Sequence, residues 1–380
     1  MTRPDEEVSR EEQRKKIVRE LISENERLVN EFGASKIDSS IAPDFYTFRN
    51  GMIYSHRNFG EFMQRLKGGE RSSIVSGLNA SSSMHIAHLS VFDTNLFFQR
   101  KYGIMVYVPI SDDESLVSGK VESQEEGLKK SLVLAKSILA LGFDLENTRI
   151  IIDQLFPQIY NLAFSISRKI NVSTVRATYG YTPDRNIGLF FYPAVQSAHV
   201  MFPNLHGYTN VLVPIGPDED PHLRICRDVS EQMGYSKPAV IHSLFLPGTD
   251  GSKMSKSKGN AIYLQDSPKE VRKKVMNAFS GGQASVDEHR LKGGDPDVDV
   301  PYTYLRYFFL TAAEAEEIAV QYRNGKLLSG EMKSMLLDRI EERLETFRKS
   351  YEKVSYADID RVTLKNENVD LISLCERYSI

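Results

Sequence analysis

Seven consecutive residues, Ile104-Met-Val-Tyr-Val-Pro-Ile110, carry no charge. A run that short and unbroken fits a strand covered on both faces, as in a parallel sheet flanked by helices. The neighbouring sequence agrees. Ser72-Ser-Ile-Val-Ser76 reads as a strand, Gly77-Leu-Asn-Ala80 as its turn, and a helix is expected from near Ser82. Helical periodicity returns over 123–141, residues 149–152 are strand-like, and 153 to about 205 is mainly helical apart from a loop at 180–188. Val211-Leu-Val-Pro-Ile215 and Val240-Ile-His-Ser-Leu-Phe245 are further strands, separated by a helix that opens at Pro221 and ends near Gly234.

Strands alternating with helices predict an α/β fold: a Rossmann-like parallel sheet with a helical insertion at about 115–205. The chain turns helical after Gln265, where Ser267-Pro-Lys-Glu270 is a capping box with proline at the first helical position. An all-α C-terminal domain over 266–380 is therefore expected, after a catalytic-type domain at 71–265. Residues 1–70 form an N-terminal segment. Within it, 5–31 reads as one amphipathic helix ended by Gly33, and Asn50-Gly51 suggests a hairpin turn.

Composition narrows the class. With 380 residues, 41% hydrophobic and 26% charged, the chain is ordinary globular material with ample core. A net charge of −3 excludes whole-molecule attraction to nucleic acid, so any RNA contact must come from local patches such as Arg272-Lys-Lys274. Cys226 and Cys375 match no metal-ligand spacing and read as reduced thiols. No apolar run is long enough for a bilayer and no signal-peptide pattern opens the chain, so a cytoplasmic protein without membrane contact is expected.

Three segments carry candidate chemistry, each after an expected strand and hence at the sheet edge where ligands bind. The first holds His85 and His88, three residues apart and expected in the first turn of a helix, where exposed N–H groups attract anions. No third ligand at zinc spacing accompanies them, and no metal site is expected. The second is Gly216-Pro-Asp218-Glu219, where a carboxylate can accept ribose hydroxyls; Asp220 before Pro221 equally suits helix capping. The third is Gly251-Ser-Lys-Met-Ser-Lys-Ser-Lys-Gly259, a glycine-flanked loop whose Lys253 and Lys256 suit polyphosphate oxygens.

Together His85-Ile-Ala-His88 and Lys253-Met-Ser-Lys-Ser257 resemble the paired signatures of class I aminoacyl-tRNA synthetases. Arg49-Asn-Gly-Met-Ile-Tyr-Ser-His-Arg57, Tyr192-Pro-Ala-Val-Gln196, Pro221-His-Leu-Arg-Ile-Cys-Arg-Asp228, Ala278-Phe-Ser-Gly-Gly282 and Val298-Asp-Val300 resemble the tryptophanyl-tRNA synthetases of eukaryotes and archaea. The resemblance runs from about Phe32 to Tyr351. It implies activation of tryptophan with ATP and Mg²⁺, transfer to tRNA, and a homodimer built around the inserted segment. It makes His85, His88, Lys253 and Lys256 the catalytic set, and Gly77, Ala87, Gly216, Asp218, Met254, Ser255 and Ser257 the ATP-binding set.

Residues at the family's amino-acid pocket become Val75, Pro109, Glu114, Gln196 and Glu219. Only Glu114 and Gln196 keep the family's type. Glu114 could accept an indole N–H, and Glu219 could make a charge-assisted contact with an ammonium. Leu78-Asn-Ala80 departs from the usual Arg-Gly-Pro. Three other readings stand beside this one: a paralogue with a different amino acid or acceptor, a silent RNA- or partner-binding relative, and a small-molecule nucleotidylyltransferase. By resemblance the C-terminal helices hold the anticodon region, with Lys326, Lys333, Arg339, Arg343 and Arg348 as candidate phosphate contacts. Tyr302, Tyr304, Tyr307 and Phe308 read equally as stacking platforms or as core.

Overall fold

The computed structural model describes Glu12, Glu20 and residues 15–18, 27–81, 83–254 and 258–380. The chain divides into two compact units. One takes the described residues of Met1–Ser55 with His85–Ser90 and Ser243–Arg348; the other takes His56–Met84, Val91–His242 and Lys349–Ile380. Among the described residues no helix is long and apolar enough to cross a membrane.

The second unit is a mixed α/β body around a parallel sheet. Its strands are β3 (Ser72–Val75), β4 (Leu78–Asn79), β5 (Met105–Ser111), β6 (Thr148–Ile152), β7 (Asn210–Ile215), β8 (Ala239–Ser243) and β9 (Thr363–Leu364), following β1 (Ser35–Lys36) and β2 (Ile53–Arg57) earlier in the chain. Six of them run side by side as β8-β7-β3-β5-β6-β9, and β4 pairs with the end of β5. Ser73 aligns with Met105 on one side and Val211 on the other, so β3 is the strand from which the chain winds outward both ways. In open α/β sheets ligands bind beyond the carboxyl ends of the strands at such a reversal.

The strands exist because both sheet faces are covered. Every residue of β3 and β8, and all but the first of β5, is buried. Val75, Tyr107, Ile151, Val213 and Val240 from the sheet pack with Val195 and Ala198 of the helix Ile187–Met201 and Val229 of the helix Asp220–Gln232. The helix Ile187–Met201 starts where the Asn186 carbonyl oxygen of the side chain accepts the Leu189 N–H at 3.1 Å. Helix Gln124–Ala140 starts the same way on Ser123. β6 lies inside the segment expected as an insertion and adds to the sheet in register with β5.

The other unit is mainly helical. Its helices Pro268–Met276, Val286–Lys292, Val300–Phe308 and Ala312–Arg323 pack around fully buried Tyr304 and Tyr322. The expected capping box at Ser267 and Glu270 is present. Asp299 is the hub: it accepts the Tyr302 N–H at 2.8 Å, the Gly281 N–H at 3.0 Å and the Tyr322 hydroxyl at 2.8 Å. Tyr302 and Tyr304 are thus core. Val18, from the described part of the N-terminal helix, is fully buried against Gly251. The rest of 5–26 lies outside the described residues.

Three local expectations are corrected. Asn50-Gly51 does not join two strands; Gly51, at φ +71°, ends the helical turn Tyr46–Arg49 and leads into β2. The Asn50 amide is spent on the Tyr307 and Leu310 carbonyls, at 3.2 and 3.0 Å. The helix expected from Ser82 starts at His88, because the Ile86 N–H goes to the Ile262 carbonyl at 2.9 Å instead of a helical partner. The C-terminal region is not wholly helical, since Thr363–Leu364 pairs with β6.

Candidate active site

Consider first the histidine turn. His85 forms an antiparallel bridge with Tyr263, and its N–H donates to His88 Nδ1 at 3.0 Å. The two imidazoles stack with centroids 3.8 Å apart. Because His88 Nδ1 accepts, the neutral ring carries its proton on Nε2 and can donate there. Burial lowers His85 to a pKa of about 4 and lowers His88 well below the ordinary value, the neighbouring ring adding to the second shift. Both rings are neutral donors at physiological pH. His85 Nδ1 is buried without a hydrogen-bond partner among the described residues. Ala87 sits half-buried between them, and helix Nterminal amides follow at once from His88.

The lysine loop belongs to the same unit, and its base is pinned. Gly248 N–H donates to the Ser252 carbonyl at 2.6 Å, and Thr249 N–H to the Asn260 carbonyl at 2.8 Å. Asp250 Oδ1 accepts the Ser252 N–H at 3.0 Å and the Asn260 amide at 2.7 Å. Asn260 also donates to the Lys253 carbonyl at 3.1 Å. Lys253 is exposed, with its ammonium 4.7 Å from the Phe245 ring centroid, a cation–π contact. Met254 is half-buried. Ser255, Lys256 and Ser257 lie outside the described residues.

The remaining candidates belong to the sheet unit. Gly77 follows β3, Glu114 follows β5, and Gly216, Asp218 and Glu219 follow β7, so all stand at the carboxyl ends of strands. A Cβ at Gly216 would stand 2.8 Å from Asp218 Oδ1, so a side chain there would push this carboxylate aside. Gln196 donates to Glu219 Oε2 at 3.2 Å. Glu114 is held by Lys120 at 3.0 Å. Burial would raise Glu219, but the bonds from His222 and Gln196, with the charges of His222 and Lys120, hold it below the usual carboxylate value. Val75 is 1% exposed within the core, and Pro109 is buried with Cγ 3.3 Å from where a Gly77 Cβ would stand. Both lie in the body of the sheet.

A family model described as class I tRNA synthetases (W and Y) matches residues 67–345. The chain belongs to this family. Tryptophan–tRNA ligase 2 of Halobacterium salinarum is 43% identical over 329 residues, covering 83% of this chain and 84% of that one. The cytoplasmic tryptophan–tRNA ligase of Saccharomyces cerevisiae is 32% identical over 366 residues, covering 90% and 85%. Among solved structures, Plasmodium falciparum tryptophanyl-tRNA synthetase superposes with a TM-score of 0.82 at 30% identity, covering 89% and 96%.

Sequence reasoning passed over several polar residues of this class I synthetase and read Asp220 as a helix cap, whereas its helix has no side-chain cap bond because the carboxylate is spent on Arg57 and His242. Asp220 is fully buried and takes two bonds from Arg57, at 2.7 and 2.8 Å, and one from buried His242 at 3.0 Å. Because Asp220 opens the helix after Asp218 and Glu219, this network fixes where the rim carboxylates stand. His222 and Tyr179 flank Glu219 and Gln196. A buried cluster also closes the β5 and β6 ends: oxygens of Asp112, Asp113 and Asp153 lie within 4.8 Å of one another, and Asp153 bonds His199 at 2.7 Å. Burial raises Asp112 to about 6 and, with the charge of Asp153, Asp113 to about 8, so these groups hold protons where surface carboxyls would not. Most of these had no spacing signature, because Arg57 lies 163 residues from Asp220 and His199 lies 46 from Asp153, although His222 stands only three from Glu219.

On the C-terminal helices, Lys326, Arg339 and Arg343 are exposed. Lys333 donates to the Met276 carbonyl at 3.0 Å and Arg348 to Glu341 at 3.1 Å, which gives those two structural work.

Proposed function

We propose that this protein is a tryptophan–tRNA ligase. The carboxylate of tryptophan attacks the α-phosphate of MgATP, pyrophosphate leaves, and the acyl group passes from the adenylate to the terminal ribose of tRNA. The observation that carries the reading is the stacked, neutral His85–His88 pair in a chain of the tryptophan and tyrosine synthetase family. Relatives named tryptophan–tRNA ligase over most of its length favour tryptophan.

In this reading His85 and His88 donate to α-phosphate oxygens as charge moves toward the leaving group, and Lys253 and Lys256 take the pyrophosphate. Ala87 lies against the adenine. Asp218 accepts the ribose hydroxyls beside Gly77 and Gly216, and Met254, Ser255 and Ser257 close over the nucleotide. No covalent protein nucleophile is required, so positioning and fixed dipoles supply the rate. Mg²⁺ arrives with the nucleotide, neutralising phosphate charge. Glu114 accepts the indole N–H after leaving Lys120, and Gln196 and Glu219 hold the amino-acid end, with Val75 and Pro109 behind them.

We also assign residues 266–380 to tRNA recognition, the chain to the cytoplasm, and the active form to a homodimer through 115–205. Phe164, Val172, Ile187 and Leu205 in that segment are all more than half exposed, a set of apolar side chains suited to a second copy.

The test is pyrophosphate exchange into ATP with each of the twenty amino acids, followed by charging of bulk tRNA. Exchange with tryptophan alone is expected. Exchange with a different amino acid means a paralogue; none at any concentration overturns the reading. Lys256→Ala should reduce exchange about a hundredfold or more, the scale of losing one transition-state donor, while tryptophan binding changes little. Equal losses in both would make the loop structural. The chain contains no tryptophan, so with excitation beyond the tyrosine band the ligand's own fluorescence reports binding.

A further inference from the structure

Four side chains from separate elements close a circuit beside Glu219. His222 Nδ1 lies 3.1 Å from Glu219 Oε2, which also accepts Gln196 Nε2–H at 3.2 Å. Gln196 Oε1 in turn accepts the Tyr179 hydroxyl at 3.3 Å, and the Tyr179 ring stacks on the His222 imidazole with centroids 4.3 Å apart and planes at 22°. Each member touches two others. The elements are the helices Val172–Tyr179, Ile187–Met201 and Asp220–Gln232 and the turn Pro217–Glu219.

The circuit has a chemical logic. The resemblance to tryptophanyl-tRNA synthetases implies a neutral glutamine amide at this position, so the carboxylate of Glu219 gives the rim one more negative charge. An isolated, half-buried carboxylate would either protonate or swing to water. Here the imidazole donates to it from one side and an amide from the other, and both bonds fall on Oε2. Oε1 stays outside the circuit. The stack on Tyr179 fixes the plane of the imidazole and hence the direction of its Nδ1–H bond.

We propose that His222 is a positioning residue for amino-acid recognition, holding Glu219 ionised and oriented so that Oε1 takes the α-ammonium of the substrate. The proposal rests on Glu219 being the ammonium acceptor, as read above. His222 itself touches neither ATP nor the reacting carboxylate. Its removal should therefore appear in the amino-acid KM and nowhere else.

The experiment is steady-state pyrophosphate exchange, with tryptophan binding followed by ligand fluorescence, for wild type, the single variants Glu219→Ala, Glu219→Gln, His222→Phe and His222→Asn, and the double variant His222→Phe/Glu219→Gln, with His222→Asn/Glu219→Gln in reserve. Phenylalanine keeps the stack on Tyr179 and loses the donor. His222→Phe should raise the tryptophan KM about tenfold, the scale of one hydrogen bond to a charged group, with kcat and the ATP KM within about twofold. Asparagine at 222, which restores an N–H donor, should recover part of the loss. In the double variant the neutral amide no longer needs the imidazole, so its KM should match that of Glu219→Gln alone.

The outcomes separate the two layers. If Glu219→Ala leaves the tryptophan KM unchanged, the ammonium reading fails and this proposal falls with it. A raised KM in Glu219→Ala with no change in His222→Phe overturns the role of His222 alone. Parallel loss of kcat and ATP affinity in both His222 variants makes the residue structural, which also overturns it. Circular dichroism of each variant guards against misfolding; should His222→Phe not fold, the comparison of His222→Asn with His222→Asn/Glu219→Gln decides the matter.

Discussion

Arg57→Met is the perturbation that best tests how the rim is held in place. Arg57 is 12% exposed and Asp220 is fully buried, with a bidentate contact at 2.7 and 2.8 Å. Burial would push the Asp220 carboxyl up, but the bonds from His242 and Arg57 override it and hold the group far below the ordinary range. Methionine keeps apolar bulk and strands that carboxylate. Breaking a buried pair from one side costs about 3–5 kcal/mol. His242 at 3.0 Å and Arg224 at 3.5 Å remain, which puts the expectation near the lower end, about 3 kcal/mol. At a urea dependence of about 3 kcal/mol per molar, the midpoint should fall by about 1 M. Far-UV circular dichroism follows the transition.

The pH dependence has a fixed sign. Asp220 titrates lower in the folded chain than unfolded, so its stabilisation is present above about pH 4 and is lost as pH falls through that value toward the folded pKa. The gap between wild type and Arg57→Met should accordingly narrow from pH 7 to pH 3. Neutralising the stranded group should help: Arg57→Met/Asp220→Asn should be more stable than Arg57→Met. A midpoint shift below about 0.2 M, or a double variant no better than the single, would refute the reasoning.

Three further outcomes are expected. His85 should titrate near pH 4, read from imidazole carbon–proton spectra assigned with His85→Asn; because the unfolded chain binds the proton first, stability should decline as pH drops from about 6.5 toward 4, and a midpoint between 6 and 7 would contradict the buried neutral ring. Gly216→Ala places a methyl 2.8 Å from Asp218 Oδ1 and should raise the ATP KM severalfold while sparing the tryptophan KM; equal changes in both would detach Asp218 from the nucleotide. Both thiols are buried, Cys226 pushed up to about 12 and Cys375 to about 11, so neither should react with a disulfide reagent at pH 8 until urea unfolds the chain.

What could be read in the sequence divides along physical lines. β5, β7 and β8 announce themselves because a strand covered on both faces has an apolar residue at nearly every position, as in Ile104–Ile110 and Val211–Ile215. β9 spans two residues, too few for any period, and is recruited only because Ile150 and Ile151 offer it an edge. The Ser81–Ser83 run resembles a helix start, yet His85–Ala87 are drawn out of helical geometry by a carbonyl of Ile262, and that competitor lies far along the chain. The site follows the same rule. The candidate residues His85, His88 and Lys253 fall in short local motifs that can be picked out by eye, and Lys256 lies outside the described residues; Arg57 for Asp220, His199 for Asp153 and Tyr179 for His222 are partners met only after folding. On the proposed function, the groups that meet the substrate sit in loops whose local sequence must satisfy the ligand, whereas groups that orient them need only arrive from somewhere. The Glu219 circuit is where this matters most. Residue 219 can be judged a departure from its family on sequence alone, but whether the new charge is a defect or a working contact depends on His222, whose meaning appears only with the imidazole stacked on Tyr179.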